Sequence, residues 1–82
     1  MGNKNQKENI RNLIKDLNDR NKCKDSIKKL KELCWDDKKS KTNKKYAIQY
    51  RAIHDLVDLL DADFDSDIKN QALDLITYLT LI

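Results

Sequence analysis

An all-α fold is the class this chain predicts, and two features predict it. Helix breakers are missing: there is no Pro and a single Gly, at position 2, so hairpin turn signals are lacking too. Apolar residues also recur at three- and four-residue steps in several separate stretches, the period of an amphipathic helix. Eighty-two residues make at most one small domain, and so short a chain leaves much of its surface wet.

The first seven residues are polar and are expected to form a disordered tip, with one domain over 8–82. Gly2 after the initiator Met partly resembles an N-myristoylation signal, but Gln6 stands where a small hydroxyl residue is needed. A plain disordered tip or a cloning remnant is the preferred reading. Helix is predicted from about Lys7 to Leu17, with Ile10, Leu13, Ile14 and Leu17 on one stripe. The segment Asn18-Asp19-Arg20-Asn21 reads as a turn, because Asn and Asp side chains compete for backbone groups.

A second helix follows from near Lys22 to Trp35, with Cys23, Ile27, Leu30, Leu33 and Cys34 as its apolar stripe. Trp35 at its end either packs in the core, the favoured role, or is offered to a partner. The stretch Asp36 to Lys45 has no apolar residue and carries Lys38, Lys39, Lys41, Lys44 and Lys45. It reads as a solvated basic loop. The functional alternatives for these lysines are an import signal, a phosphate-binding patch or a contact with anionic membrane.

From Lys45 onward, Tyr46, Tyr50, Ile53, Val57 and Leu60 form the next stripe, widened by Ala47, Leu56 and Leu59. His54 has Asp58 four residues on, which predicts a surface ion pair. The alternating aspartates of the acidic connection, Asp61, Asp63, Asp65 and Asp67, partly follow a calcium loop with Asp61 as its first position. The sixth and twelfth positions, which need Gly and Glu, are Ser66 and Ala72. Helix capping by Asp65 or Ser66 explains the same residues, with Phe64 tucked beneath. The last helix, from about Asp67, carries Ile68, Ala72, Leu75, Ile76 and Leu79, broadened by Leu73. The apolar end at Leu81 and Ile82 asks for a cover and suggests self-association through this helix.

Charge is divided along the chain. Residues 1–51 hold 16 basic and 7 acidic residues, a balance of +9, while residues 52–82 hold 1 basic and 7 acidic, a balance of −6. Such a molecule attracts partners of either sign at opposite ends. Cys23 and Cys34 have neither the spacing of a zinc site nor a secretory signal ahead of them. Reduced thiols in a cytoplasmic protein are expected, or a nuclear one if the lysine run directs import. No metal or cofactor is implied, and no nucleophile, base and cleft are placed together by spacing, so no enzyme is expected.

The chain also repeats itself. Ile10, Leu13, Ile14 and Leu17 match Ile53, Leu56, Val57 and Leu60 at an offset of 43; Ser26, Ile27, Leu30 and Leu33 match Ala72, Leu73, Ile76 and Leu79 at 46. Two helix pairs at this spacing have the period of armadillo and HEAT repeats. The run AIHDLVDLL, a short acidic link and QALDLITYL resembles an armadillo repeat. The resemblance implies a right-handed armadillo/HEAT-like repeat pair of four to five helices. Repeat 1 covers about 8–35, the basic loop 36–45, and repeat 2 about 46–82. Arg51 departs from the family pattern by standing where Gly precedes Ala-Ile, which implies a bend softened or absent.

The resemblance further implies a non-enzymatic binding surface for a protein or peptide partner. Its groove would be faced by Lys28, Lys31, Glu32, Asp74 and Tyr78, with Trp35 nearby. The positions that hold import peptides in transport-type members are Glu32 and Tyr78 for asparagine, and Lys28 and Asp74 for tryptophan. None matches, so that activity is not carried over. The alternative function is nucleic-acid or anionic-lipid binding through the lysine-rich half, which a salt titration would reveal.

Overall fold

The computed structural model describes residues 5–61, 63 and 65–81. Gly2, Phe64 and Ile82, the subjects of three expectations above, lie outside them. The chain is all-α: α1 (Asn5–Asp16), α2 (Cys23–Lys31), a π turn (Glu32–Asp36) that continues α2, α3 (Ser40–Gln49), α4 (Ala52–Asp61) and α5 (Ser66–Thr80).

Helix α1 buries the four residues its stripe predicts, Ile10, Leu13, Ile14 and Leu17. It starts at Asn5, so the end of the expected disordered tip is helical, with Glu8 in the first turn where the helix dipole favours it. The turn after α1 forms as predicted: Asp19 Oδ1 accepts from the Asn21 amide at 2.9 Å. The Asp19 carbonyl then accepts from Cys23 N at 2.8 Å, which starts α2. Asp65 is the N-cap of α5, its Oδ1 accepting from Ile68 N at 2.9 Å.

One core unites all five helices, running through Ile10, Leu17, Ile27, Leu30, Ala47, Leu56, Leu75 and Leu79. Each fully buried large side chain contributes roughly 1.5–3 kcal/mol of transfer free energy. Helix α1 packs on α2 and α3, α2 lies against α5, and α4 and α5 pair closely. Helix α3 bridges the two halves, touching α1, the π turn, α4 and α5.

Four expectations are corrected. The predicted basic loop 36–45 is half helix, because α3 begins at Ser40. Asp37 folds an Asx turn, accepting from the Lys39 amide at 2.7 Å, and its carbonyl accepts from Ser40 N. Lysine is a good helix former, and α3 packs inward through Asn43 and Ala47. With an amide in place of an apolar anchor, its amphipathic signal is weak.

Trp35 is no core residue; it stands 51% exposed. The bend before α4 is present and sharp, since Arg51 itself takes a left-handed φ of 64°. That break rotates the stripe of α4, so Ala52, Leu56 and Leu59 are buried while Val57 is 48% exposed.

The fourth correction concerns the repeat register. Burial pairs Ile10, Ile14 and Leu17 with Ala52, Leu56 and Leu59 at an offset of 42. It pairs Ile27, Leu30 and Cys34 with Ala72, Leu75 and Leu79 at 45. Both offsets are one shorter than the apolar pattern gave, and the three-residue difference between them is kept. Val57 and Leu73, which drew the matching out of register, point to solvent.

Candidate functional site

Helices α2 and α5 present two stripes with identical spacing. Lys24, Lys28, Lys31 and Trp35 fall at i, i+4, i+7 and i+11, and so do Asp67, Gln71, Asp74 and Tyr78. Residues at these steps share one face of a helix. Contacts join three of the four equivalent pairs. Lys24 Nζ lies 3.0 Å from Asp67 Oδ2. Lys31 Nζ donates to Asp74 Oδ2 at 3.3 Å and to Gln71 Oε1 at 2.7 Å. The rings of Trp35 and Tyr78 stack with centroids 4.5 Å apart and planes 19° from parallel. Three pairs at one constant sequence separation of 43 mean that the two helices run in the same direction, in register.

Between the stripes lies a cleft of about 520 Å³. Lys28, Lys31, Glu32, Trp35 and Tyr78, five of the six groove residues named from the sequence, line it. The sixth, Asp74, stands beside them as the partner of Lys31. Lys24, Asp25, Asp36 and Gln71 also line the cleft and were not singled out from the sequence. Lys24 and Gln71 were findable, because each extends a stripe by one helical step.

The electrostatics of the cleft are mixed. The Lys24 ammonium holds the Asp67 carboxyl below its ordinary range, and Asp67 in turn raises Lys24, each chiefly through their shared hydrogen bond. Both groups are exposed, so solvent screens the pair and its worth to stability is small. With Lys24 and Lys31 committed to α5 carboxylates, Lys28 shares the lining with Asp25, Glu32 and Asp36, none of which is held in an ion pair among the described residues. The lining holds as many lysines as carboxylates, but Lys24 and Lys31 are engaged by α5, which leaves Asp25, Glu32 and Asp36 beside Lys28 for a ligand.

No family model, curated protein or solved structure matches this chain. Its site must be read from geometry alone.

Four of the five lysines of the basic run are exposed. Lys38 and Lys39 lie in the turn before α3 and, like Lys41 and Lys45 on α3, are exposed. Lys44 is drawn toward the cleft instead: its Nζ sits 5.6 Å from the centroid of Trp35 and donates to the Leu81 carbonyl at 3.2 Å. A cation over an indole face is favourable. Lys31 Nζ lies 6.0 Å from the Tyr78 centroid.

Cys23 and Cys34 are free and buried, and burial pushes the Cys34 thiol up to about 11. Neither has the raised thiolate character of a reactive cysteine. His54 and Asp58 are both exposed on α4, but no ion pair joins them, contrary to expectation. Nearby, burial raises the Asp55 carboxyl, with Asp58 adding to the effect. Among the described residues no three His, Cys, Asp or Glu side chains group to hold a metal ion, and no helix is long and apolar enough to cross a membrane.

Proposed function

We propose that this chain is a non-enzymatic interaction module that holds an extended segment of a partner protein along the α2–α5 cleft. The observation that carries the reading is the pair of parallel, in-register stripes ending in a half-exposed aromatic stack. Parallel neighbouring helices present equivalent side chains at regular intervals, which suits an extended chain read at several points. Equivalent helices also lie parallel where helix pairs stack in an armadillo/HEAT-like repeat, and the 42- and 45-residue burial offsets are in keeping with that arrangement. Trp and Tyr are the side chains that most often anchor such contacts.

The uncommitted Asp25, Glu32 and Asp36 favour a segment that places a basic side chain beside an apolar or aromatic one. The free, buried thiols suit a protein at work in the cytoplasm or nucleus.

Selection from a random peptide library, followed by titration on Trp35 fluorescence, tests this. Selected peptides should shift the Trp35 signal, and Tyr78→Ala with Glu32→Lys should weaken them at least tenfold, about 1.4 kcal/mol. Binding that ignores both substitutions would refute the cleft. Steeply salt-dependent binding to DNA or anionic vesicles, lost on neutralising Lys38, Lys39 and Lys41, would favour the lysine-run alternative.

A further inference from the structure

Asn43 is fully buried, yet only half of its amide is satisfied. Its Nδ2 donates to the Leu33 carbonyl at 2.7 Å, while its Oδ1 has no partner. A buried amide in that condition is costly, and an apolar side chain of similar size would pack there at lower cost. The donated bond is what such a substitution would forfeit.

The reason lies in the last turn of the α2 helix. Over Glu32–Asp36 the helix widens, and Asp37 N reaches back five residues to the Glu32 carbonyl at 3.0 Å. Asp37 then turns extended, with ψ of 147°, and the helix stops. The next carbonyl, that of Leu33, is left at the helix end, where backbone donors run out. Asn43 of α3 closes it from outside. The neighbouring Lys44 reaches over Trp35 from the same helix. Two consecutive residues of α3 thus grip two residues of the wide turn, one by its carbonyl and one by its ring.

We infer that Asn43 is a positioning residue: by holding the Leu33 carbonyl it fixes the π turn that sets Trp35 against Tyr78 at the end of the cleft. π-helix occurs mostly as single turns within α-helices, frequently at functional sites. The use of that position for a partner rests on the function proposed above; the positioning itself does not.

The experiment uses the whole chain. Asn43→Leu keeps the branched shape of the side chain, with methyl groups in place of the amide, and removes the donor; Leu13→Ala serves as a control that loosens the core at α1. In Asn43→Leu, the near-ultraviolet circular dichroism of the Trp35–Tyr78 stack should fall by half or more, and the Asp37 amide should exchange at least tenfold faster. Leu13→Ala should leave both unchanged while folded. A folded Asn43→Leu protein with native dichroism and native Asp37 exchange would overturn the inference.

Should Asn43→Leu fail to fold, nuclear magnetic resonance of the unaltered protein decides. The Asn43 Nδ2 protons should be protected and scalar-coupled to the Leu33 carbonyl carbon, and their free exchange would refute the assignment. Peptides selected on the unaltered protein should bind Asn43→Leu at least tenfold more weakly. An absence of selected peptides would count against the cleft reading alone, because the dichroism and exchange results test Asn43 without any ligand.

Discussion

The indole of Trp35 stacks on the ring of Tyr78 at 4.5 Å, across the same 43-residue interval that separates Lys31 from Asp74 and Lys24 from Asp67. The stack is the last rung of a ladder between two parallel helices, and it closes the end of the cleft where the α2 helix stops.

A double-mutant cycle on Trp35→Ala and Tyr78→Ala should therefore show coupling. Stacked aromatic pairs are worth about 0.5–1.5 kcal/mol beyond the area they bury. Urea unfolding of the four proteins measures it. Additive losses would show that the rings are neighbours without mutual stabilisation.

The lower rungs should differ from each other. Lys31 keeps only 21% of its side chain exposed and satisfies two acceptors, Gln71 and Asp74, whereas Lys24 is 63% exposed. Lys31→Met should destabilise by about 1 kcal/mol through the acceptors it abandons. Lys24→Met should shift the unfolding midpoint by less than the experimental scatter. Equal effects from the two substitutions would contradict this ordering.

Arg51 offers a gain. At φ of 64° its Cβ crowds the backbone, a conformation that costs a non-Gly residue about 1–2 kcal/mol and Gly almost nothing. After allowing for the greater freedom of Gly in the unfolded chain, Arg51→Gly should stabilise by about 0.5 kcal/mol or more. Arg51→Val should destabilise, because a β-branched residue suits that region least. Thermal melts of the two variants against the parent check the sign.

Cys34 should make stability depend on alkaline pH. Its thiol is raised from an ordinary 9.0 to about 11 by burial. Below pH 9 the thiol is protonated in both states, and its contribution is present in full. Between pH 9 and 11 the unfolded chain loses the proton first, so stability falls as pH rises, by on the order of 2 kcal/mol. Subtracting the profile of Cys34→Ala isolates this slope from the lysines and tyrosines that titrate nearby. A flat difference between pH 8 and 11 would count against it.

Much of the architecture was legible along the chain. Helix was the only regular structure its composition favoured, and the α1 stripe Ile10, Leu13, Ile14, Leu17 is buried as its spacing implies. Asp65 announced the start of α5 by its side chain alone. The cleft residues were also within reach, since Lys28, Lys31, Trp35 and Tyr78 sit at helical steps that a reader can count.

Local pattern fixes which residues share a helix face, because the 3.6-residue turn is a property of the backbone. It does not fix which face meets a neighbour. Only the tertiary packing decided that Trp35 stays at the surface to meet Tyr78, and that a polar-looking run becomes a helix around Asn43. The same packing holds Arg51 in the turn that moves the buried stripe from Val57 to Leu56. Each of these outcomes depends on a partner ten or more residues away or on a single backbone angle, and neither leaves a periodic trace in the sequence.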